Sequence, residues 1–294
     1  MDNVLETLSA DERRRQQAAY LAHLRRRDGA PDLDAGTLAH REAFFREIDG
    51  NPLRYTGEVP RDEFARRMAT KDVTGASRMA LWMSVMASTN EGERYAVGLA
   101  IEDRKKLPKA TLADDPMTYV EIEELYHTRI LLDALRVLGL EWEMREPEGA
   151  VRAFLWSLIR LPRWMSNPVV LMGEIAGTII FLRLRETARE LFGTETPEAK
   201  RIQALIEEIL VDEIGHVAYV RSKMGPVEMA VARVLLTLGG RLLFLQTPAI
   251  AALWDVGEMA REARAMRWSL LPPEIRARAF TSETAVDGSA SASA

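Results

Sequence analysis

Apolar residues along this chain recur at steps of three and four, and strand-like alternation never extends beyond a few residues. That period predicts helices nearly throughout. Residues 10–27, ADERRRQQAAYLAHLRRR, read as an exposed, charge-laced helix. Residues 31–75 read as shorter helices broken by DGNP and TGEVP. A long helix is predicted over 76–106, although Gly92 and Gly98 cost it intrinsic propensity. LPKATLADDP follows as a loop, and a second long helix covers 117–140, ending near Gly139. A shorter helix spans 150–166 and stops before the dipeptide NP. A third long helix covers 168–192, with Pro168 in its first turn and Gly193 just past its end. Thr196 as N-cap, Pro197 at the first helical position and Glu198 in the first turn open a fourth, running to about Met224. Two more helices cover 226–265.

The fold class is therefore all-α. Four long helices with additions at both ends suit an antiparallel four-helix bundle. The divisions are an N-terminal helical extension, 1–75; the bundle, 76–224; C-terminal helices packing on the bundle or on a partner subunit, 225–280; and a small, polar, disordered tail, 281–294.

Composition narrows the function. With 294 residues and 47% hydrophobic content, the chain can bury a large core. A net charge of −5 with interspersed signs argues against nucleic-acid binding, and Arg13–Arg15 and Arg25–Arg27 read as solvated helix faces. The chain has no cysteine, which excludes thiolate chemistry and leaves His, Asp, Glu and carbonyl oxygen as metal ligands. The first residues lack the apolar run of a secretory signal, so the expected location is cytoplasmic. The most apolar stretch, 229–254, is interrupted by Arg233, Arg241, a Gly pair and Pro248. It reads as a buried helix pair or a subunit-interface helix rather than a membrane span.

The candidate chemistry lies in two segments, EELYH at 123–127 and DEIGH at 212–216. Each is an acidic pair, two residues and a histidine, and the chain has only four histidines. Glu124 and His127 share one helical face, as do Glu213 and His216, and apolar neighbours such as Leu131 and Val217 turn those faces inward. Glu174 is the only acid between Glu148 and Glu186 and shares a face with Val170, Thr178 and Phe181. On the first long helix Glu93 shares a face with Met86 and Val97, while Glu91 lies ~160° round the helix and is the alternative. Buried charges need partners or a metal. Four carboxylates and two imidazoles on four helices form a ligand set for two metal ions, with iron or manganese better suited than softer metals. Without metal, the same residues would form a buried ionic network. His23 and His40 lack such company and read as surface or packing residues; Tyr95, Tyr126 and Tyr219 read as core.

On these motifs the sequence resembles the ferritin-like di-iron carboxylate oxygenases and oxidases. That superfamily includes bacterial multicomponent monooxygenase hydroxylases, acyl-carrier-protein desaturases, arylamine N-oxygenases and the ribonucleotide reductase small subunit. The resemblance covers 76–224. It implies a ferritin-like four-helix bundle with extra N- and C-terminal helices, binding two iron ions, with manganese as the alternative. It implies Glu124 and Glu213 as bridging ligands, Glu93 and Glu174 as terminal ones, and His127 and His216 as the imidazoles. It also implies Asp212 orienting His127 and Glu123 orienting His216. Thr178 holds the place of a proton-relay threonine; the competing reading is a hydroxyl bonded back to its own helix. Leu131 stands where the reductase subunit has its radical tyrosine, and Ile209 where arylamine N-oxygenases have a third histidine.

The function so implied is O2-dependent hydroxylation, desaturation or N-oxygenation of an apolar or acyl-like small molecule, held among Met86, Val97, Leu131, Phe181 and Val217. Electrons would come from an external ferredoxin or reductase. The alternatives are a non-catalytic di-metal protein for iron storage or peroxide scavenging, and a metal-free helical adaptor. The apolar C-terminal helices suggest a homodimer.

Overall fold

A computed structural model describes residues 2–104, 108–147 and 149–282. Side chains in parts of α4 and α5, Glu93 among them, lie outside the described residues. The described residues are helical, with two isolated bridges, Asn3–Arg267 and Asp32–Thr37, and no named strand. In chain order the helices are α1 (Ala10–Asp28), α2 (Ala39–Gly50), α3 (Arg61–Thr70), α4 (Arg78–Arg104), α5 (Lys109–Ala113), α6 (Pro116–Val137) and α7 (Gly149–Arg160). They continue as α8 (Arg163–Phe192), α9 (Pro197–Lys223), α10 (Pro226–Leu245), α11 (Pro248–Leu253), α12 (Val256–Arg264) and α13 (Pro273–Arg276).

The long helices start where local chemistry satisfies their first amide groups. Asp115 accepts from Met117 N ahead of Pro116 to open α6. Thr196 accepts from Ala199 N ahead of Pro197 to open α9, as the sequence predicts. α1 carries a full capping box, Ser9 with Glu12. α8 ends at Gly193, whose φ of 72° strains a residue with a Cβ.

α4, α6, α9 and α8 pack in a closed ring, each against the next. Trp82 Nε1 on α4 donates to Leu184 O on α8 at 2.9 Å. α9 buries a continuous run from Glu208 to Ser222. It also receives α1 from outside the ring. α1 buries Gln16, Tyr20, Leu24 and Asp28, one face at four-residue steps, so it is not the exposed helix its charge suggested.

Three other expectations need correction. The break before the third long helix falls at Pro162, not at the NP dipeptide, and Pro168 lies inside α8. α10 is half-buried: Met229, Ala232, Leu236, Gly240 and Phe244 face inward, while Val227, Leu238 and Leu242 are exposed. Residues 281 and 282, assigned to a disordered tail, are buried, and Arg221 donates to Ser282 Oγ at 2.8 Å. Residues 283–294 lie outside the described residues.

Candidate metal centre

α6 and α9 each turn one acid–histidine pair towards the other, and α8 adds Glu174. Glu124 stands between the imidazoles and presents one oxygen to each: Oε1 is 3.0 Å from His216 Nδ1, and Oε2 is 3.3 Å from His127 Nδ1. Glu213 Oε1 is 3.4 Å from His127 Nδ1, and Glu174 Oε2 is 3.7 Å from His216 Nδ1. The inner ring thus has a near twofold pattern, with one further carboxylate beside each histidine. The two imidazoles are 5.8 Å apart between centroids and fully buried.

An outer layer holds this ring. His127 Nε2 lies 3.0 Å from Asp212 Oδ2, and His216 Nε2 lies 2.9 Å from Glu123 Oε2. Each histidine is therefore tied to the acid preceding the other motif's inner glutamate. Arg27, from the end of α1, donates to Asp212 Oδ1 at 2.9 Å and also to Glu123. Arg41, from α2, donates to Asp212 and to Glu208 Oε2, the latter at 2.6 Å. Arg278 closes the network on Glu208.

These contacts set the charge states. Burial alone would raise Asp212, but Arg41 and Arg27 hold its carboxyl well below the usual range. An ionised Asp212 only accepts, so His127 Nε2 must donate to it. Burial would lower both histidines, but Glu124 beside His127, and Tyr20 and Glu124 beside His216, raise them well above the ordinary value, so without a cation each Nδ1 carries a proton that faces the inner carboxylates. Burial and then the neighbouring Glu124 and Glu174 push Glu213 up to about 8, despite its hydrogen bond with His127. Glu124 is held low instead: burial opposes it, and the two imidazoles outweigh burial.

The inner ring fits a cation. His127 Nδ1 and His216 Nδ1 are buried and face the same space, with only the inner carboxylates at 3.0–3.7 Å beside them. Ligand atoms from Glu124, Glu174, Glu213 and His216 lie within 4.8 Å of one another and could hold a metal ion. Gly177 leaves room for this arrangement, since a Cβ there would sit 3.1 Å from Glu213 Oε2. A cation would relieve the crowding that raises Glu213 and would take the place of a proton on each Nδ1.

The other expected residues fall as follows. Glu93 lies on α4, but its side chain is outside the described residues. Glu91 accepts from Arg145 N at 3.3 Å and so is engaged with the loop after α6. Thr178 is fully buried, and its hydroxyl donates to Glu174 O at 2.9 Å, the bond that the helix-bonded reading expects. Tyr126 donates to Glu42 Oε1 at 2.6 Å, away from the ring, and Tyr219 packs on Tyr20. His40 Nε2 is 3.8 Å from Glu208 Oε2, and His23 packs by Phe280.

Sequence reasoning missed the outer arginines. Arg27 is not a solvated residue: its side chain is 17% exposed and joins both motifs. Arg41 is fully buried. Tyr20 also went unnoticed; its hydroxyl lies over Gly215, where a Cβ would come within 3.3 Å of it. The stripe Gln16, Tyr20, Leu24 and Asp28 was the available signal, because it turns the end of α1 towards α9. Two surface cavities of about 270 and 240 Å³ lie against α10 around Arg233, and neither touches the ring. The chain matches no family model, no curated protein and no solved structure.

Proposed function

We propose that α4, α6, α8 and α9 form a ferritin-like bundle around two iron ions, with manganese as the alternative, and that the protein is an O2-dependent oxidase or monooxygenase. The observation that carries this reading is the paired imidazoles. Each is fixed on one side by an acid from the other motif and presents Nδ1 to shared carboxylates at 3.0–3.7 Å on the other side.

Glu124, Glu213, Glu174, His127 and His216 would hold the ions, with Glu93 completing the set from α4. When bound, the metal pair would supply the electron transfer to O2 that the protein's own side chains cannot. The chain's part is positional. Asp212 and Glu123 orient the imidazoles, Arg27 and Arg41 keep Asp212 ionised, Arg27 holds Glu123 in place, and the packing of α8 against α9 excludes bulk water. The substrate would be an apolar or acyl-like molecule, and electrons would come from an external ferredoxin or reductase.

The test is metal content and O2 uptake of the purified protein beside the His127→Ala/His216→Ala variant. Two metals per chain, lost in the double variant, with O2 uptake that depends on reductant and is altered by candidate apolar substrates, supports the proposal. Substrate-independent uptake with iron mineralisation assigns storage or scavenging instead. Absence of bound metal after anaerobic Fe(II) or Mn(II) loading overturns it.

A further inference from the structure

α10 exposes aliphatic side chains, whereas α7 and the start of α8 expose the large aromatic ones Phe154, Trp156 and Trp164. No residue of α7 is buried. Its apolar side chains span ~200° of the helix, more than one packed face requires. α7 rests on α4 through half-buried Leu155, Leu158 and Ile159. Outside that contact it exposes Phe154 and Trp156, the latter 48% exposed. After the turn at Pro162, the first turn of α8 continues the surface with Trp164, 64% exposed, and Met165. Large aromatic side chains left in water at this density mark an interaction surface.

Charge says what covers it. From Gly149 to Gly173 the sequence has no acidic residue and three arginines, Arg152, Arg160 and Arg163. Arg160 lies over the Trp156 ring at 3.9 Å, so cation and aromatic form one amphipathic unit. Arg152 pairs with Glu146 at 3.1 Å, but both side chains are more than half exposed, so solvent and salt weaken that pair. Tryptophan, phenylalanine and leucine beside arginine, on a short helix lying along the surface, match the chemistry of a bilayer interface with anionic headgroups. A second copy of the same face would set arginine against arginine, with no acid in the segment to answer it.

We propose that α7 and the start of α8 dock the protein on the surface of an anionic phospholipid bilayer. The rings of Phe154, Trp156 and Trp164 enter the headgroup boundary, and the three arginines meet lipid phosphates. The inference does not depend on the metal centre or its chemistry.

The test is flotation of the full chain with two vesicle types: phosphatidylcholine alone, and phosphatidylcholine with phosphatidylglycerol. The expected result is flotation with the anionic vesicles only, weakened by salt, with a blue shift of tryptophan emission. Trp156→Ser/Trp164→Ser should abolish it. Each of Arg152→Gln, Arg160→Gln and Arg163→Gln should weaken partition about fivefold. All these positions are exposed, and circular dichroism checks their fold. Should a variant unfold, the salt dependence and emission shift of the wild type still decide the matter. Failure to float with anionic vesicles, or flotation indifferent to both the tryptophans and the arginines, overturns the proposal. So does a dimer in light scattering that Trp156→Ser/Trp164→Ser converts to monomer, which would assign the face to a second copy.

Discussion

The two halves of the candidate centre are built differently. On the α6–α9 side both imidazoles have a second support: each is bonded to a carboxylate behind it, and those carboxylates to Arg27 or Arg41. On the α8 side Glu174 reaches His216 only at 3.7 Å, and the Thr178 hydroxyl one turn on bonds the helix backbone. Glu174 also keeps 14% of its side chain exposed, whereas the two histidines have none. The braced half fixes geometry. The α8 half is the one whose carboxylate can shift when a ligand enters.

The sharpest way to break this comparison is to cut the brace. Arg41→Ala leaves Asp212 and Glu208 short of a buried partner, and breaking such a pair typically costs about 3–5 kcal/mol. Glu174→Ala, in metal-free protein, removes a carboxylate that crowds Glu213, so its effect should stay within about 1 kcal/mol or be stabilising. Urea unfolding of both variants in chelator checks this. Equal losses would erase the distinction between the halves.

The next effect is on metal affinity. Asp212→Asn keeps the shape but weakens the acceptor that holds His127 Nε2, and the loss of such a support costs about 10–100-fold in affinity. Competition titration with a chromogenic chelator measures it. An unchanged affinity would mean that Asp212 is there for Arg27 and Arg41 alone. Gly177→Ala tests the inner side with a smaller push. A Cβ 3.1 Å from Glu213 Oε2 forces that carboxylate to give by a few tenths of an ångström. Affinity should fall by less than with Asp212→Asn, and an unaltered value would show that Glu213 adapts freely.

What was legible in the sequence follows the same division. Glu124, His127, Glu213 and His216 were readable because a three-residue step fixes two side chains to one helical face whatever the rest of the fold does. Glu174 was readable as a lone acid on an apolar helix. Arg27 and Arg41 were not, because an arginine in a charge-rich helix looks the same whether it meets water or a carboxylate 185 residues away. Only the docking of α1 and α2 decides that. The α7–α8 break was misplaced because Pro162 and Pro168 both fit a helix start, and α8 runs through Pro168 despite the amide hydrogen bond that Pro168 removes. The exposure of α7 could not be read either, since its apolar period predicts burial until packing shows that only one side is covered.

The smallest expected effect tests whether α1 sits against α9 as closely as the brace requires. His23 lies one turn before Arg27. Burial, and then Arg27 and Arg26, lower it from 6.5 to about 4, with Asp212 pulling weakly the other way. Above pH 6.5 both folded and unfolded forms are neutral, and His23 leaves stability unchanged. Between pH 6.5 and about 4 the unfolded chain takes up a proton that the folded one refuses, so stability falls as pH falls through that window. The side chain is partly solvated, so the loss should be about 1–2 kcal/mol rather than the full value of the shift. His23→Gln should remove this slope, which then appears in the difference between the two stability profiles from pH 6.5 to 5; Glu213, pushed up to about 8, titrates in both proteins alike and cancels in that difference. If wild type and variant instead run parallel there, His23 titrates as it would in water. The end of α1 would then not be seated on α9, and Arg27 could not be the residue that ties the two motifs together.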